Sequence, residues 1–120
     1  MANIVTIGLD QASAYQLGRA LGTGAHSISH KPGTSLVEEL TDADIVFADG
    51  EGKRYMVLLK KVREILPLLP FVVVTRIPET SDWLDALEAG ATDYCSAPFE
   101  ARHMNWLMES AMPAHRVVAA

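Results

Sequence analysis

The stretch Phe71-Val72-Val73-Val74-Thr75 decides the fold, because it is apolar at almost every position and is preceded by Pro70. A strand with one face in solvent would alternate apolar and polar residues. A short run that is apolar on both faces is typical of a parallel sheet covered by helices on each side. Two more runs have this character, Ile4-Val5-Thr6-Ile7 and Ile45-Val46-Phe47-Ala48. The sequence therefore predicts three parallel strands.

Between these runs the apolar residues take the spacing of helices. We predict five helices: one around Tyr15 to Leu21, one starting at the capping box Ser35-Leu36-Val37-Glu38, and three more over residues 55–66, 82–89 and 100–112. Two weaker strands, residues 26–30 and 93–95, complete an alternation of strands and helices. Because crossover connections are right-handed, this alternation predicts an α/β fold with a doubly wound five-stranded parallel sheet.

Composition sets further bounds on the chain. Its 120 residues suit one domain over residues 1–120, with residues 114–120 as a frayed tail. A single cysteine, Cys95, excludes an internal disulfide framework and a multi-cysteine zinc site. The net charge of −5 argues against direct nucleic-acid binding, and no apolar run is long enough to span a bilayer. We expect a cytoplasmic protein.

Three polar residues follow the predicted central strands: Asp10, Asp49 and Thr75. Functional groups of open α/β sheets gather at the carboxyl ends of the strands. Carboxylates at such an edge can hold Mg²⁺ or accept a phosphoryl group. The alternative for Asp10 and Asp49 is that each side chain only caps the helix that follows it.

Several motifs together carry a resemblance to a known family. Asp44-Ile45-Val46-Phe47-Ala48-Asp49, Phe71-Val72-Val73-Val74-Thr75, Ala86-Leu87-Glu88-Ala89-Gly90-Ala91-Thr92-Asp93-Tyr94 and Pro98-Phe99 resemble the CheY-like receiver domain of bacterial response regulators. The resemblance implies the flavodoxin-like strand order 2-1-3-4-5 and a signalling module rather than an enzyme. It also implies that a sensor histidine kinase phosphorylates Asp49, that Thr75 and Tyr94 act as the switch pair, and that the peptide bond before Pro98 is cis.

The chain departs from the family pattern at its most important polar positions. The acidic pair that holds Mg²⁺ in the family falls on Gly8 and Leu9, and the family lysine falls on Ala97. Asp10 and Asp49 would then hold Mg²⁺ only weakly, since this ion gives up its waters reluctantly. Arg76 stands where a small residue is usual, and either reaches Asp49 as a counter-cation or points into solvent. The sequence therefore predicts a pseudo-receiver with a degraded phosphoryl site.

Trp83 and Trp106 are candidate interface residues, since Leu84 and Leu87 are predicted to supply the inward side of the helix that carries Trp83. With Tyr94 they lie on the face made by the fourth helix, the fifth strand and the fifth helix, which the resemblance assigns to dimerisation and output contacts. The partner would be a histidine kinase, an output domain or a second copy of the chain. The alternative is that the tryptophans pack together as a surface cover.

The remaining candidate residues give weaker indications of a functional site. His26 and His30 lie on one predicted edge strand, too far apart to share a metal ion. Cys95 follows Tyr94 on a buried strand, where a free thiol is a small apolar group rather than a nucleophile. The leading hypothesis is a receiver-like module that acts by protein contact, and the second is a working receiver phosphorylated on Asp49.

Overall fold

The computed structural model describes residues 2–22 and 26–109, which form one parallel sheet with helices on both faces. The five strands lie in the order β2-β1-β3-β4-β5, as the resemblance implies. Their bounds are β1 Ala2–Ile7, β2 His26–Lys31, β3 Ile45–Asp49, β4 Phe71–Thr75 and β5 Asp93–Ser96. Every neighbouring pair runs parallel.

The described residues contain four α-helices, and the expectation of five is wrong. They are α1 Gln11–Leu21, α2 Tyr55–Ile65, α3 Thr80–Glu88 and α4 over residues 101–109. Residues 110–112 of the last predicted helix and the tail at 114–120 lie outside the described residues. Two single turns of 3₁₀ helix, Val37–Leu40 and Glu51–Lys53, complete the connections.

The second predicted helix is the one that does not form. Ser35 does not cap it; its hydroxyl donates to the carbonyl oxygen of Pro32 at 2.7 Å. Half of a capping box forms one residue later, where the Leu36 N–H donates to the Glu39 carboxylate at 2.7 Å, but the Leu36 side chain has no acceptor to complete it. Only one 3₁₀ turn follows, because Thr41, Asp42 and Asp44 are weak helix formers and β3 begins at Ile45.

Two apolar layers hold the helices against the sheet. On one face, α2 and the turn Val37–Leu40 bury Leu59, Val62 and Leu40 against β3 and β4. On the other face, Leu17 of α1 packs in one cluster with Met104 and Leu107 of α4. Because both faces are covered, Phe47 and Phe71 of the central strands are fully buried. This double cover is the reason for the uninterrupted apolar runs in the sequence.

Arg63 of α2 joins the two connections that lead into β4 and β5. The half-buried guanidinium donates from Nε to the Gly90 carbonyl at 2.7 Å and from Nη1 to the Leu69 carbonyl at 2.8 Å. Gly90 ends the α3 connection with φ +107°, and a Cβ there would lie 3.1 Å from Cγ of Arg63. Thr92 then accepts from the Phe71 N–H through its hydroxyl at 3.0 Å. The segment Gly90-Ala91-Thr92 therefore has a structural role.

We expect Arg63→Ala to destabilise the fold by about 2–3 kcal/mol, because part-buried carbonyls would lose a charged donor. Urea unfolding followed by circular dichroism measures the change. Lys60→Ala on the exposed side of the same helix is the matched control, with an expected change within about 0.5 kcal/mol. Equal losses in the two variants would contradict the role given to Arg63.

Candidate functional site

The candidate site lies at the carboxyl edge of the sheet, where β1, β3 and β4 end side by side. Asp49 is the last residue of β3 and pairs in register with Val74 of β4. Thr75 ends β4, and Asp10 directly precedes α1. The structure therefore brings the three predicted residues to one edge, as parallel strands require.

Asp10 serves as the N-cap of α1. Its Oδ1 accepts from the Ser13 backbone N–H at 2.6 Å. This hydrogen bond, more than the nearby charge of Arg76, holds the pKa of the Asp10 carboxyl below its ordinary value. Oδ2 lies 4.0 Å from Nε of Arg76. One carboxylate oxygen is therefore committed to the helix and the other faces a cation.

The acidic-pair positions are closed by backbone geometry. Gly8 has φ +70°, and its N–H donates to the Lys31 carbonyl oxygen at 2.8 Å. A Cβ at position 8 would lie 3.3 Å from Cα of Gly33 and 3.7 Å from Cβ of Asp49. Leu9 is half-buried and packs against the core cluster under α1 and α4. Neither position offers an oxygen ligand beside Asp49.

Asp49 is a half-buried carboxylate without a strong hydrogen bond. Burial, more than the charges of Glu51 and Asp10, raises its pKa above the ordinary value. Its Oδ1 accepts from the Glu51 backbone N–H at a long 3.3 Å. Within residues 2–22 and 26–109, no cation lies within salt-bridge distance of this carboxylate.

Arg76 turns toward the site but pairs with other carboxylates. Its Nη2 donates to the Glu51 carboxylate at 3.1 Å, and its Nε faces Asp10. The side chain remains 65% exposed. Arg76 is therefore an exposed residue at the rim of the site that pairs with Glu51 and not with Asp49.

The two predicted switch residues, Thr75 and Tyr94, make their described contacts with residues other than Asp49. The Thr75 hydroxyl donates to the Ile77 carbonyl oxygen at 3.3 Å, within its own loop. Tyr94 is half-buried and packs against the core cluster under α2. Ala97, at the position of the family lysine, precedes Pro98 through a cis peptide bond, as expected.

Lys53, a second candidate counter-cation for Asp49 from its place in the following loop, pairs with α3 instead. Its Nζ donates to the Asp85 carboxylate at 2.6 Å and lies 3.5 Å from that of Asp82. The hydrogen bond to Asp85 raises the pKa of Lys53. The only sequence signal was two aspartates three residues apart on α3. These contacts fix the short loop after Asp49 to α3.

Two clefts flank the end of β3. One, of about 420 Å³, lies between the loops after β3 and β4 and is lined by Glu51, Lys53, Thr75 and Arg76. The second, of about 320 Å³, lies on the α2 side and is lined by Asp49, Thr34, Arg54 and an apolar floor. In the first cleft the charged side chains pair with one another or with their neighbours.

The predicted interface residues lie on α3, β5 and α4. Trp83 is 41% exposed and Trp106 58% exposed. Trp83 and Tyr94 line one shallow cleft, and the Trp106 ring lies 6.4 Å from the His103 ring, centroid to centroid. Leu84 was predicted to face inward but is exposed, because the small Ala86 makes the buried contact of α3.

The contacts of the remaining candidate residues indicate structural roles. His26 and His30 lie on the edge strand β2, and His30 Nδ1 shares a hydrogen bond of 2.7 Å with the Thr6 hydroxyl. Burial raises the pKa of the Cys95 thiol to about 12, so it is not a nucleophile near neutral pH. Over the described parts of the chain, no three potential ligands of the His, Cys, Asp and Glu types group around one point.

Comparison with protein-family models finds no match. Among curated proteins, the chain is 28% identical over 96 residues to the DNA-binding transcriptional regulator NtrC of Klebsiella pneumoniae. The match covers 76% of this chain but only 20% of NtrC, so the chain spans about a fifth of that relative.

Solved structures share the fold at low sequence identity. A response regulator receiver domain protein from Clostridium thermocellum superposes with a TM-score of 0.78 at 16% identity, covering 98% of this chain and 99% of that one. A putative pilus assembly-related protein from Burkholderia pseudomallei gives 0.77 at 22% identity, covering 95% and 91%. NtrX from Brucella abortus gives 0.78 at 18%, covering 98% of this chain and 28% of NtrX. The chain therefore has the receiver fold.

A search of the same described residues for a helix with the length and hydropathy of a membrane span finds none.

We expect Asp49→Asn to stabilise the fold at neutral pH, because the raised pKa means that folding disfavours the charged carboxyl. The gain should shrink as the pH falls through the raised pKa and vanish below the ordinary value of 3.8, where Asp49 is protonated in both states. Thermal unfolding midpoints across this range measure the effect.

Asp10→Asn is the matched control, and we expect it to destabilise the fold at neutral pH. The lowered pKa of Asp10 means that its charge stabilises the fold above the ordinary value, and that this contribution is lost as the pH falls through the folded-state pKa. A higher unfolding midpoint for the Asp10→Asn variant, or a lower one for the Asp49→Asn variant at neutral pH, would contradict the electrostatics described for the site.

Proposed function

We propose that this chain is a receiver-like signalling module, related to those of two-component response regulators, that acts through protein contact and does not depend on phosphorylation at Asp49. The observation that carries the proposal is the backbone at Gly8, where a left-handed turn against Gly33 occupies the place of the first metal carboxylate. Leu9 contributes an apolar contact instead of the second carboxylate.

The donor set beside Asp49 does not fit Mg²⁺. This ion requires near-octahedral oxygen coordination, and Asp49 is the one carboxylate of the site without an ion pair or a short hydrogen bond among the described residues. One carboxylate oxygen of Asp10 accepts a hydrogen bond from Ser13 and the other faces Arg76, while Glu51 pairs with Arg76. Ala97 offers no ammonium to a phosphoryl group. Phosphoryl transfer depends on positioning and charge stabilisation, and both are weak here.

The face of α3, β5 and α4 that carries Trp83, Tyr94 and Trp106, here called the output face, supports contact with a partner. Trp83, Trp106 and Leu84 are large apolar side chains exposed on neighbouring elements. Aromatic residues of this kind anchor protein interfaces. We propose that this face binds a histidine kinase or an output domain, and that it also pairs two copies of the chain. NtrC, named as a DNA-binding transcriptional regulator, is about five times longer than the matched segment, which favours an output domain as the partner.

A working receiver is the second candidate. Asp49 lies at the strand end that receivers use, is reachable from solvent and has no cation bound to it. Arg76, held at the rim by Glu51, would have to leave that pair to neutralise an incoming phosphoryl group. This candidate therefore requires a rearrangement of the rim before the acceptor can react.

Incubation with acetyl phosphate and Mg²⁺, followed by intact-mass measurement, separates the two candidates. We expect no phosphoryl adduct, because no residue pair holds the metal or the transferred group. Asp49→Asn is run in parallel, and titration with Mg²⁺ followed by tryptophan fluorescence should show no saturable change. One added phosphoryl group that requires both Mg²⁺ and Asp49 would overturn the pseudo-receiver and establish the working receiver.

Self-association through the output face is tested by sedimentation equilibrium. We expect Trp83→Ala to weaken dimerisation by about tenfold or more, because truncation of a central interface tryptophan costs at least about 2 kcal/mol. Val57→Ala is the control, since Val57 is an apolar residue on α2 that is 75% exposed, more than Trp83. A chain that stays monomeric at all concentrations, or equal effects of both variants, would remove the dimer from the proposal.

A further inference from the structure

The cleft on the α2 side of Asp49 has the features of a small-molecule site. Its floor is apolar, made by Ile7, Ala48 and Leu58, and four side chains with polar groups line it: Asp49, Thr34, Arg54 and Tyr55. Its volume of about 320 Å³ is at the lower end of the range for ligand pockets, which runs from roughly 300 to 1,000 Å³. A predominantly apolar cleft with a few polar groups and a titratable residue of shifted pKa is typical of a binding site.

Two glycines leave this cleft open. Gly8 and Gly33 both line it, and their backbones approach each other at its edge. A side chain at position 8 would extend toward Asp49, since its Cβ would already lie 3.7 Å from Cβ of that residue. The geometry that removes a metal ligand therefore also leaves space for another molecule.

The charges around the site divide into paired and unpaired groups. Arg76 pairs with Glu51 and faces Asp10, and Lys53 pairs with Asp82 and Asp85. Within the described ranges, Asp49 and Arg54 have no ion-pair partner. Both line the same cleft. An unpaired carboxylate and an unpaired guanidinium beside one apolar floor complement a ligand that carries both charges.

We propose that this cleft binds a small zwitterion with an apolar group, of which an aliphatic α-amino acid is the simplest. The ammonium group pairs with Asp49, the carboxylate with Arg54 and the Thr34 hydroxyl, and the apolar group covers Ile7 and Leu58. A neutral apolar molecule would leave both charges unpaired, and a ligand with one charge would leave one of them so. The inference rests on the proposed function in one respect, that Asp49 remains unphosphorylated.

An NMR titration of the ¹⁵N-labelled protein with L-leucine tests the site. We expect saturable shifts at the amides of Gly8, Gly33 and Ala48. Two matched probes remove one charge each: 4-methylpentanoate lacks the ammonium group and 3-methylbutylamine lacks the carboxylate. Each should bind about tenfold more weakly or worse, because each loses one charge-assisted interaction. No saturable shift with L-leucine, or equal binding of either probe, would overturn the zwitterion site.

Substitutions of Arg54 and Asp49 test whether these side chains pair with the two charges of the ligand. Arg54→Met and Asp49→Asn should each weaken L-leucine binding by about tenfold, while Lys60→Met on the exposed side of α2 should leave it unchanged. Unchanged binding in both of the first two variants would also overturn the site. The titration contains no phosphoryl donor and no Mg²⁺, so its failure is distinct from failure of the proposed function, which the acetyl phosphate experiment reports by itself.

Discussion

The burial of the central strands on both faces is the constraint on which the rest of the structure depends. From Ile45 to Ala48 and from Phe71 to Val74, no side chain is more than 3% exposed. A polar group within these segments would need a buried partner, at a cost of kilocalories if it were absent. Polar chemistry is therefore confined to the ends of the strands, and the turn after each strand determines what the site can do.

The turns of this chain direct their charges toward one another. Asp10 caps a helix, Arg76 joins Glu51, and Lys53 joins α3. Single exposed ion pairs contribute little stability, with typical values of about 0 to 1 kcal/mol. The two ion pairs instead position the loop after β3, because one connects it to the loop after β4 and the other to α3. The loop after Asp49 is consequently held by residues on both sides of it.

The sequence predicted the sheet well because doubly buried strands have a strong signature. The runs ending at Asp49 and Thr75 required no tertiary information, and the family resemblance supplied the strand order. The short segment after Ser35 was mispredicted because a capping-box pattern is a local signal, and the Ser35 hydroxyl instead donates to the Pro32 carbonyl oxygen. Leu84 was mispredicted for a related reason, since the close approach of α3 to the sheet favours the small Ala86 at the contact.

The candidate site was predictable in its positions and less so in its contacts. Gly8 and Ala97 could be recognised as departures from the family pattern, but the left-handed turn at Gly8 depends on the approach of Gly33, which is distant in sequence. The partners of Arg76 and Lys53 likewise lie on other elements, at 25 and 32 residues' separation. Long charged side chains have many rotamers, and only the folded surroundings select one.

The contact between Gly8 and Gly33 also bears on how this surface can change in evolution. A carboxylate introduced at position 8 alone would carry the strain of a left-handed backbone, of order 1 kcal/mol, and would crowd the facing turn. A carboxylate at position 9 alone would lose the contact that Leu9 makes with the core. Neither step gives a complete metal site, so each intermediate is less stable without a new activity. A single substitution at either position therefore costs stability without supplying a metal site, and both positions would have to change together to supply the pair of carboxylates.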